Sequence, residues 1–192
     1  ESGSSNGTDP TRRWIVDPLD GTTNFLHGLP HWAISIALEH KNEIVSAVVY
    51  DPLKDELFWA EKGSGCYMNE KRCRVSNRKD LNEMIFATGV PFAGRAGNLS
   101  STLSELERLM PVCAGVRRFG AASLDLAYVA SGRYDGYFQY NLNLWDIAAG
   151  IVLVKEAGGT LNQIDLSHNK NIKIIASSTV INSKLLEKLS KF

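Results

Sequence analysis

The stretch Asp17-Pro18-Leu19-Asp20-Gly21-Thr22-Thr23-Asn24-Phe25 concentrates groups that can do chemistry. Two carboxylates, three positions apart, follow directly on the apolar run Trp14-Ile15-Val16. Pro18 stiffens the turn between them, so Asp17 and Asp20 can converge on one point with the Leu19 carbonyl between. Such an oxygen-only donor set suits a hard divalent cation, Mg2+ or Mn2+. Gly21 permits close backbone approach, and the amides of Gly21-Thr22-Thr23 could open a helix and hold a phosphate. The same pattern also fits an Asx-type turn whose aspartates only cap a helix.

A further carboxylate, Asp146, stands in Leu144-Trp145-Asp146-Ile147-Ala148-Ala149-Gly150, where an apolar helix should begin. It reads either as a helix N-cap or as a third metal ligand. The small residues Ala148, Ala149 and Gly150 would let this helix approach another backbone closely. His27, His31, His40 and His168 show no metal-ligand spacing, though His27 and His31 follow the aspartate motif and could line its rim. Cys66, Cys73 and Cys113 lack a CxxC or nucleophile signature and read as buried or inert thiols. Arg117-Arg118 reads as solvated charge, or as a contact for an acidic group or a partner subunit. Trp14, Trp32, Trp59 and Trp145 lie in apolar surroundings and are expected in the core.

The elements that must position these groups change period halfway along the chain. Strands are expected at Trp14–Val16, where Pro18 should end pairing, at 31–40, 43–50 and 56–60, and at 66–68. Lys41-Asn42 is a two-residue turn, and close spacing of these strands indicates an antiparallel sheet. Helical spacing then appears at 101–110 through Leu103, Leu106, Leu109 and Met110, at 121–131 before Gly132, and at 144–157 before Gly158-Gly159. Strands at 137–140 and 172–176 and an amphipathic helix at 183–191 complete a layered mixture of α and β. No Pro/Gly-rich linker divides it, so one domain spans 1–192, with the metal motif and antiparallel sheet in 1–90 and a second α/β half in 91–192.

The 192 residues are ample for a hydrophobic core, and 44% hydrophobic with 22% charged residues is ordinary globular composition, not that of a disordered chain. Twenty-one basic against 21 acidic residues leave no net charge, which speaks against general nucleic-acid or anionic-membrane binding. No run of about 18 uncharged apolar residues could span a membrane. The odd cysteine set argues against a disulfide scaffold and is compatible with a reducing cytoplasm. The opening polar run Glu1-Ser2-Gly3-Ser4-Ser5-Asn6-Gly7-Thr8-Asp9-Pro10 reads as a loop in mid-course, not as a signal peptide.

DPLDGTTNF and WDIAAG, in this order and more than a hundred residues apart, resemble the inositol monophosphatase family. LPHWAISIAL, VVYDPLKDELFWAEKGSGCYMN and GAASLDLAYVASGRYDGYF extend the resemblance to bacterial members over nearly the whole chain. It implies a magnesium-dependent, lithium-sensitive, cytoplasmic phosphatase, usually a homodimer, that releases inorganic phosphate from inositol monophosphate. The implied fold is an αβαβα sandwich of the sugar-phosphatase type, here with its first helical layer missing. By the same resemblance Asp17 bridges two metal ions, the Leu19 carbonyl joins the first, and Asp20 and Asp146 hold the second. Thr22 helps position the attacking water, the Gly21 and Thr22 amides bind phosphate, and Ala122 meets the inositol ring. Asp20 and Asp146 thereby also border the substrate.

Two departures follow. The family carries a Glu-Glu pair upstream, and Glu1 matches its second member, so the ligand glutamate falls before the first residue; the chain reads as truncated, the alternative being a crippled first metal site. Gln139, seven positions before Asp146, stands where inositol-selective members carry a glutamate that bonds ring hydroxyls. Relatives acting on fructose-1,6-bisphosphate, histidinol phosphate or 3'-phosphoadenosine nucleotides therefore stay open as alternatives, as does a non-catalytic regulatory member. Retention of Asp17, Asp20, Thr22 and Asp146 favours an enzyme.

Overall fold

Period-two alternation carries the first third of the chain into a meander. The computed structural model describes residue 9 and residues 11–93, 99–162, 164–166 and 169–189. Strands β1 (Arg12–Asp20), β2 (Ala33–His40), β3 (Glu43–Asp51), β4 (Glu56–Glu61), β5 (Gly65–Met68) and β6 (Lys71–Arg72) pair antiparallel in sequence order. Lys41 and Asn42 both take positive φ, 53° and 62°, as a tight β2–β3 turn requires. Pro18 does not end β1, contrary to expectation. The strand lies at the sheet edge and pairing resumes after a bulge, so the missing N–H costs no ladder bond.

The second sheet draws β7 (Ile85–Thr88), β8 (Gly115–Arg117), β9 (Gly136–Leu142), β10 (Gly159–Leu161) and β11 (Ile172–Ser178) into the order β10-β11-β9-β7-β8. β7 pairs parallel with both β8 and β9, and the remaining pairs are antiparallel. Of these strands, β7, β8 and β10 escaped the sequence reading, because runs of three or four residues hold too little periodicity. The second sheet thus begins before residue 90, with a strand that follows the first sheet in sequence.

Five helices accompany the sheets among the described residues: α1 (Thr22–Leu26), α2 (Leu99–Leu109), α3 (Ala122–Ala130), α4 (Leu144–Glu156) and α5 (Asn182–Leu189). α3 and α4 fill the space between the sheets and are apolar nearly all round, as a helix buried on every side must be. Ala33, Ala37, Ala47, Val49, Phe58 and Ala60 from the first sheet join them in one core. Gly150 makes the helix pair possible. A Cβ there would stand 2.5 Å from the Leu126 Cβ on α3. α2 and α5 cover the far side of the second sheet, around Met84, Phe86, Leu109, Phe138, Ile175 and Leu185. The buried face of α2 is Thr102, Glu105 and Leu109, while Leu103 and Met110 are exposed, against the apolar stripe expected there. Glu105 is accommodated by the Tyr140 hydroxyl, which donates to its carboxylate.

The layers run sheet, helices, sheet, helices: the expected sandwich without a helical layer on the first sheet, among the described residues. The register lines up Trp14 and Val16 with Leu38 and Ile36, then with Val48 and Trp59, on the outer face. Trp14 is 67% exposed there, not in the core, because alternation turns Ile15 and Asp17 inward. Trp32, Trp59 and Trp145 are half-buried. No helix among the described residues is long and apolar enough to cross a membrane. Glu1, the opening polar run through Pro10 apart from Asp9, His168 and the end of the last expected helix lie outside the described residues.

Candidate functional site

Asp17 and Asp20 differ by an odd number of positions and would face opposite sides of a regular strand. The bulge corrects this. Asp17 pairs with Ser35 and Asp20 with Ala33, so three residues of β1 oppose two of β2, and both carboxylates turn inward. Asp17 Oδ1 accepts the Leu19 N–H at 3.1 Å, the Asx-type turn that the sequence allowed. Asp20 Oδ2 accepts the backbone N–H of Ser123 at 2.8 Å and its hydroxyl at 2.5 Å. Asp20 therefore satisfies the first turn of α3, whose own N-cap residue, Ala121, has no side-chain acceptor.

Asp146 arrives from the start of α4. Its Oδ2 accepts the Asn143 N–H at 2.7 Å, the acidic half of a capping box. Ligand oxygens of Asp17, Asp20 and Asp146 all lie within 4.8 Å of one another, and all three residues are buried. Burial pushes the Asp20 carboxyl up to about 7; the Asp146 and Asp17 charges add to this, and the Ser123 bonds oppose it. Three buried carboxylates at this spacing repel one another, and a divalent cation between them removes the repulsion. The donor set, carboxylates plus the Leu19 carbonyl on the same wall, fits a hard cation. Asp125, also in the first turn of α3, is buried too. Desolvation, then the Asp20 charge, hold its carboxyl well above the usual range, with Arg118 opposing.

These groups open into a cavity of about 260 Å³. Its wall carries every site residue expected from sequence: Asp17, Leu19, Asp20, Gly21, Thr22, Ala122, Gln139 and Asp146. Gly21 holds φ 89°, and a Cβ there would stand 3.0 Å from the His31 carbonyl, so only glycine fits the turn into α1. The Thr22 hydroxyl donates to the Leu19 carbonyl at 2.9 Å. Gln139 Oε1 accepts the Tyr137 hydroxyl at 2.7 Å, and its amide lies over Gly89, where any Cβ would overlap it at 2.0 Å.

Two residues that line the cavity or support its carboxylates were not anticipated. Arg118, read as solvated charge, lines the cavity with its guanidinium 5.9 Å from the centre of the Phe92 ring. Ser123 was passed over although it adjoins Ala122; its value lies in a bond across 103 residues, for which the sequence carries no local sign. His31 does not line the cavity. Its ring is half-buried, 5.1 Å from that of Phe119, and its carbonyl accepts the Asn24 amide, which also donates to Phe119. His27 is exposed in the turn after α1.

Residues 1–191 match the inositol monophosphatase family. An inositol-1-monophosphatase of Caulobacter vibrioides is 50% identical over 194 residues, covering 98% of this chain and 75% of that protein. The Nus factor SuhB of Escherichia coli K12 is 49% identical over 170 residues, covering 88% of this chain and 63% of that protein. The crystal structure of the extragenic suppressor protein suhB from Bartonella henselae superposes with a TM-score of 0.91 at 49% identity, over all of this chain and 75% of that one.

Proposed function

The chain belongs to the inositol monophosphatase family, a family of phosphatases, and on that premise we propose that it hydrolyses the phosphomonoester of a small polyol. Inositol 1-phosphate is the first candidate, with the alcohol and inorganic phosphate as products. The observation that carries this reading is the convergence of Asp17, Asp20 and Asp146, from two distant elements, within 4.8 Å in a buried cavity. Mg2+ is the proposed metal; Asp17, the Leu19 carbonyl, Asp20 and Asp146 would hold it. When bound, it would neutralise the phosphate dianion, lower the pKa of a coordinated water and stabilise the leaving alkoxide.

The chain's own groups supply the rest. Thr22 is proposed to orient the attacking water, its hydroxyl fixed by the bond to the Leu19 carbonyl. The Gly21 and Thr22 amides receive the phosphate oxygens. Ala122 leaves room for the polyol, and Gln139 meets its hydroxyls without the charge of the family's glutamate. A cytoplasmic homodimer is the proposed state. Other phosphomonoesters are a second substrate class, because Gln139 already accepts the Tyr137 hydroxyl and carries no negative charge to bond ring hydroxyls. A regulatory role is favoured only by the name of the SuhB relative.

Phosphate release at varied Mg2+ tests the reading. Asp17→Asn should lose at least about a hundredfold in turnover, since every metal ligand set proposed includes it. Thr22→Ala should lower kcat more than it raises KM. Gln139→Glu should reorder polyol phosphates while sparing an aryl phosphate. Undiminished turnover by Asp17→Asn would end the metal-phosphatase reading.

A further inference from the structure

Away from the cavity, two thiols face each other across the β5–β6 hairpin. The register pairs Met68 with Lys71 and Tyr67 with Arg72. One step further from the turn sets Cys66 opposite Cys73, where the Cys73 N–H donates to the Cys66 carbonyl at 2.7 Å. Opposed residues in such a hydrogen-bonded antiparallel pair have Cα atoms about 5.5 Å apart. A disulfide spans Cα separations of about 4.4–6.8 Å, so backbone spacing of this kind needs no rearrangement to be bridged.

The two thiols perturb each other: Cys73 raises the Cys66 thiol, and Cys66 draws Cys73 below the usual thiol range, helped by the nearby Arg133 guanidinium. The Cys73 sulfur lies 3.9 Å from the Lys71 carbonyl, so its own proton has an acceptor. Cys66 is fully buried and Cys73 is 6% exposed. A bulky thiol from another protein cannot reach them, whereas a molecule the size of water can approach Cys73.

We propose that Cys66 and Cys73 are a redox modification site, closing to an intrachain disulfide when the protein meets a hydroperoxide. The Cys73 thiolate attacks one peroxide oxygen, the O–O bond breaks, and with one proton taken up a sulfenic acid and water form when the peroxide is hydrogen peroxide. The Cys66 sulfur then attacks the sulfenic sulfur, the S–O bond breaks, and the hydroxyl leaves with the Cys66 proton as a second water. Two thiols are oxidised and one peroxide is reduced. A dithiol such as dithiothreitol reverses the bond by exchange. The hairpin packs on α4 near its C-terminal end, where Glu156 accepts the Gly63 and Gly65 N–H groups at 2.9 Å. Asp146 stands ten residues back along that helix, about 15 Å away, so closure should not disturb the cavity.

Cys113, half-buried elsewhere in the fold, is the internal control. The folded chain is treated with hydrogen peroxide, unfolded, alkylated without reductant and digested with trypsin. Lys71 and Arg72 separate the two cysteines, so a bridge joins peptide 63–71 to peptide 73–74. The expected result is that linked pair, an intact mass lower by two hydrogen atoms, and alkylation of Cys113 alone, all reversed by dithiothreitol. Cys73→Ser should remove the linked pair and leave Cys66 alkylated. Alkylation of all three thiols after peroxide, a bridge to Cys113, a bridge between two chains, or a Cys66–Cys73 bridge formed only in denaturant would each overturn the proposal.

Discussion

Asp20 holds the first turn of α3 with the same carboxylate that faces Asp17 and Asp146. Ser123 thereby fixes the rotamer of a proposed ligand, as hydrogen-bonding partners behind metal ligands generally do. Ser123→Ala keeps the helix but removes the 2.5 Å bond, and should weaken Mg2+ affinity about tenfold, read by titration calorimetry. Unchanged affinity would mean that the backbone N–H alone orients Asp20. His31 gives a prediction of another kind. Desolvation, then the Lys54 charge, lower its pKa to about 4. The folded chain therefore binds fewer protons than the unfolded one between about pH 6.5 and 4, and stability falls as pH drops through that window. Above it both states are neutral and His31 contributes no slope. His31→Phe should flatten this part of a urea-midpoint profile, whereas an unchanged slope would exonerate the residue.

At the scale of elements, the site depends on how closely α4 can lie against its neighbours. Asp146 sits in the first turn of α4, and Gly150, one turn on, meets Leu126 of α3. Gly150→Val would drive a branched side chain into Leu126, whose Cβ lies 2.5 Å from where the first added carbon would go. The cost should be about 3 kcal/mol or more, the upper range for overpacking a core, and the displaced helix should carry Asp146 away from Asp17. Thermal unfolding and Mg2+ titration together check this. A variant as stable as the wild type, with undiminished Mg2+ binding, would show that α3 and α4 can separate without consequence. The β1 bulge is the complementary device, since without it Asp17 and Asp20 would point to opposite faces.

For the molecule as a whole, the outer face of the first sheet is a continuous apolar surface. Trp14, Val16, Ile36 and Leu38 stand side by side on it, and Trp59 stacks on Tyr67 with ring centres 4.5 Å apart. Exposed apolar patches of this kind favour association. The 192-residue chain should therefore dimerise or aggregate at tens of micromolar. Light scattering reads this directly, and Trp14→Glu with Val16→Lys should shift the population toward monomer. A wild-type chain that stays a soluble monomer would refute the expectation.

Local pattern was enough for the β2–β5 strands, the Lys41-Asn42 turn and the cores of α3 and α4, because each is written in consecutive residues as alternation, turn chemistry or an apolar run. Motifs and a resemblance to a family singled out eight candidate site residues in sequence, and all eight line the cavity. Position was less legible than identity. Trp14 and Val16 look like core residues until an edge strand with one inward face decides which side chains are covered. Ser123 and Arg118 reach the site through contacts across a hundred residues or from a neighbouring loop, and nothing local distinguishes them from other serines and arginines. The Asp20 alternatives, metal ligand or helix cap, could not be separated in sequence because the capped helix is α3, more than a hundred residues away. Tertiary structure decided those points because carboxylates converge, and helix ends find acceptors, only after sheets and helices have packed. A one-dimensional pattern records which groups are present, while burial and long-range bonding set what each of them faces.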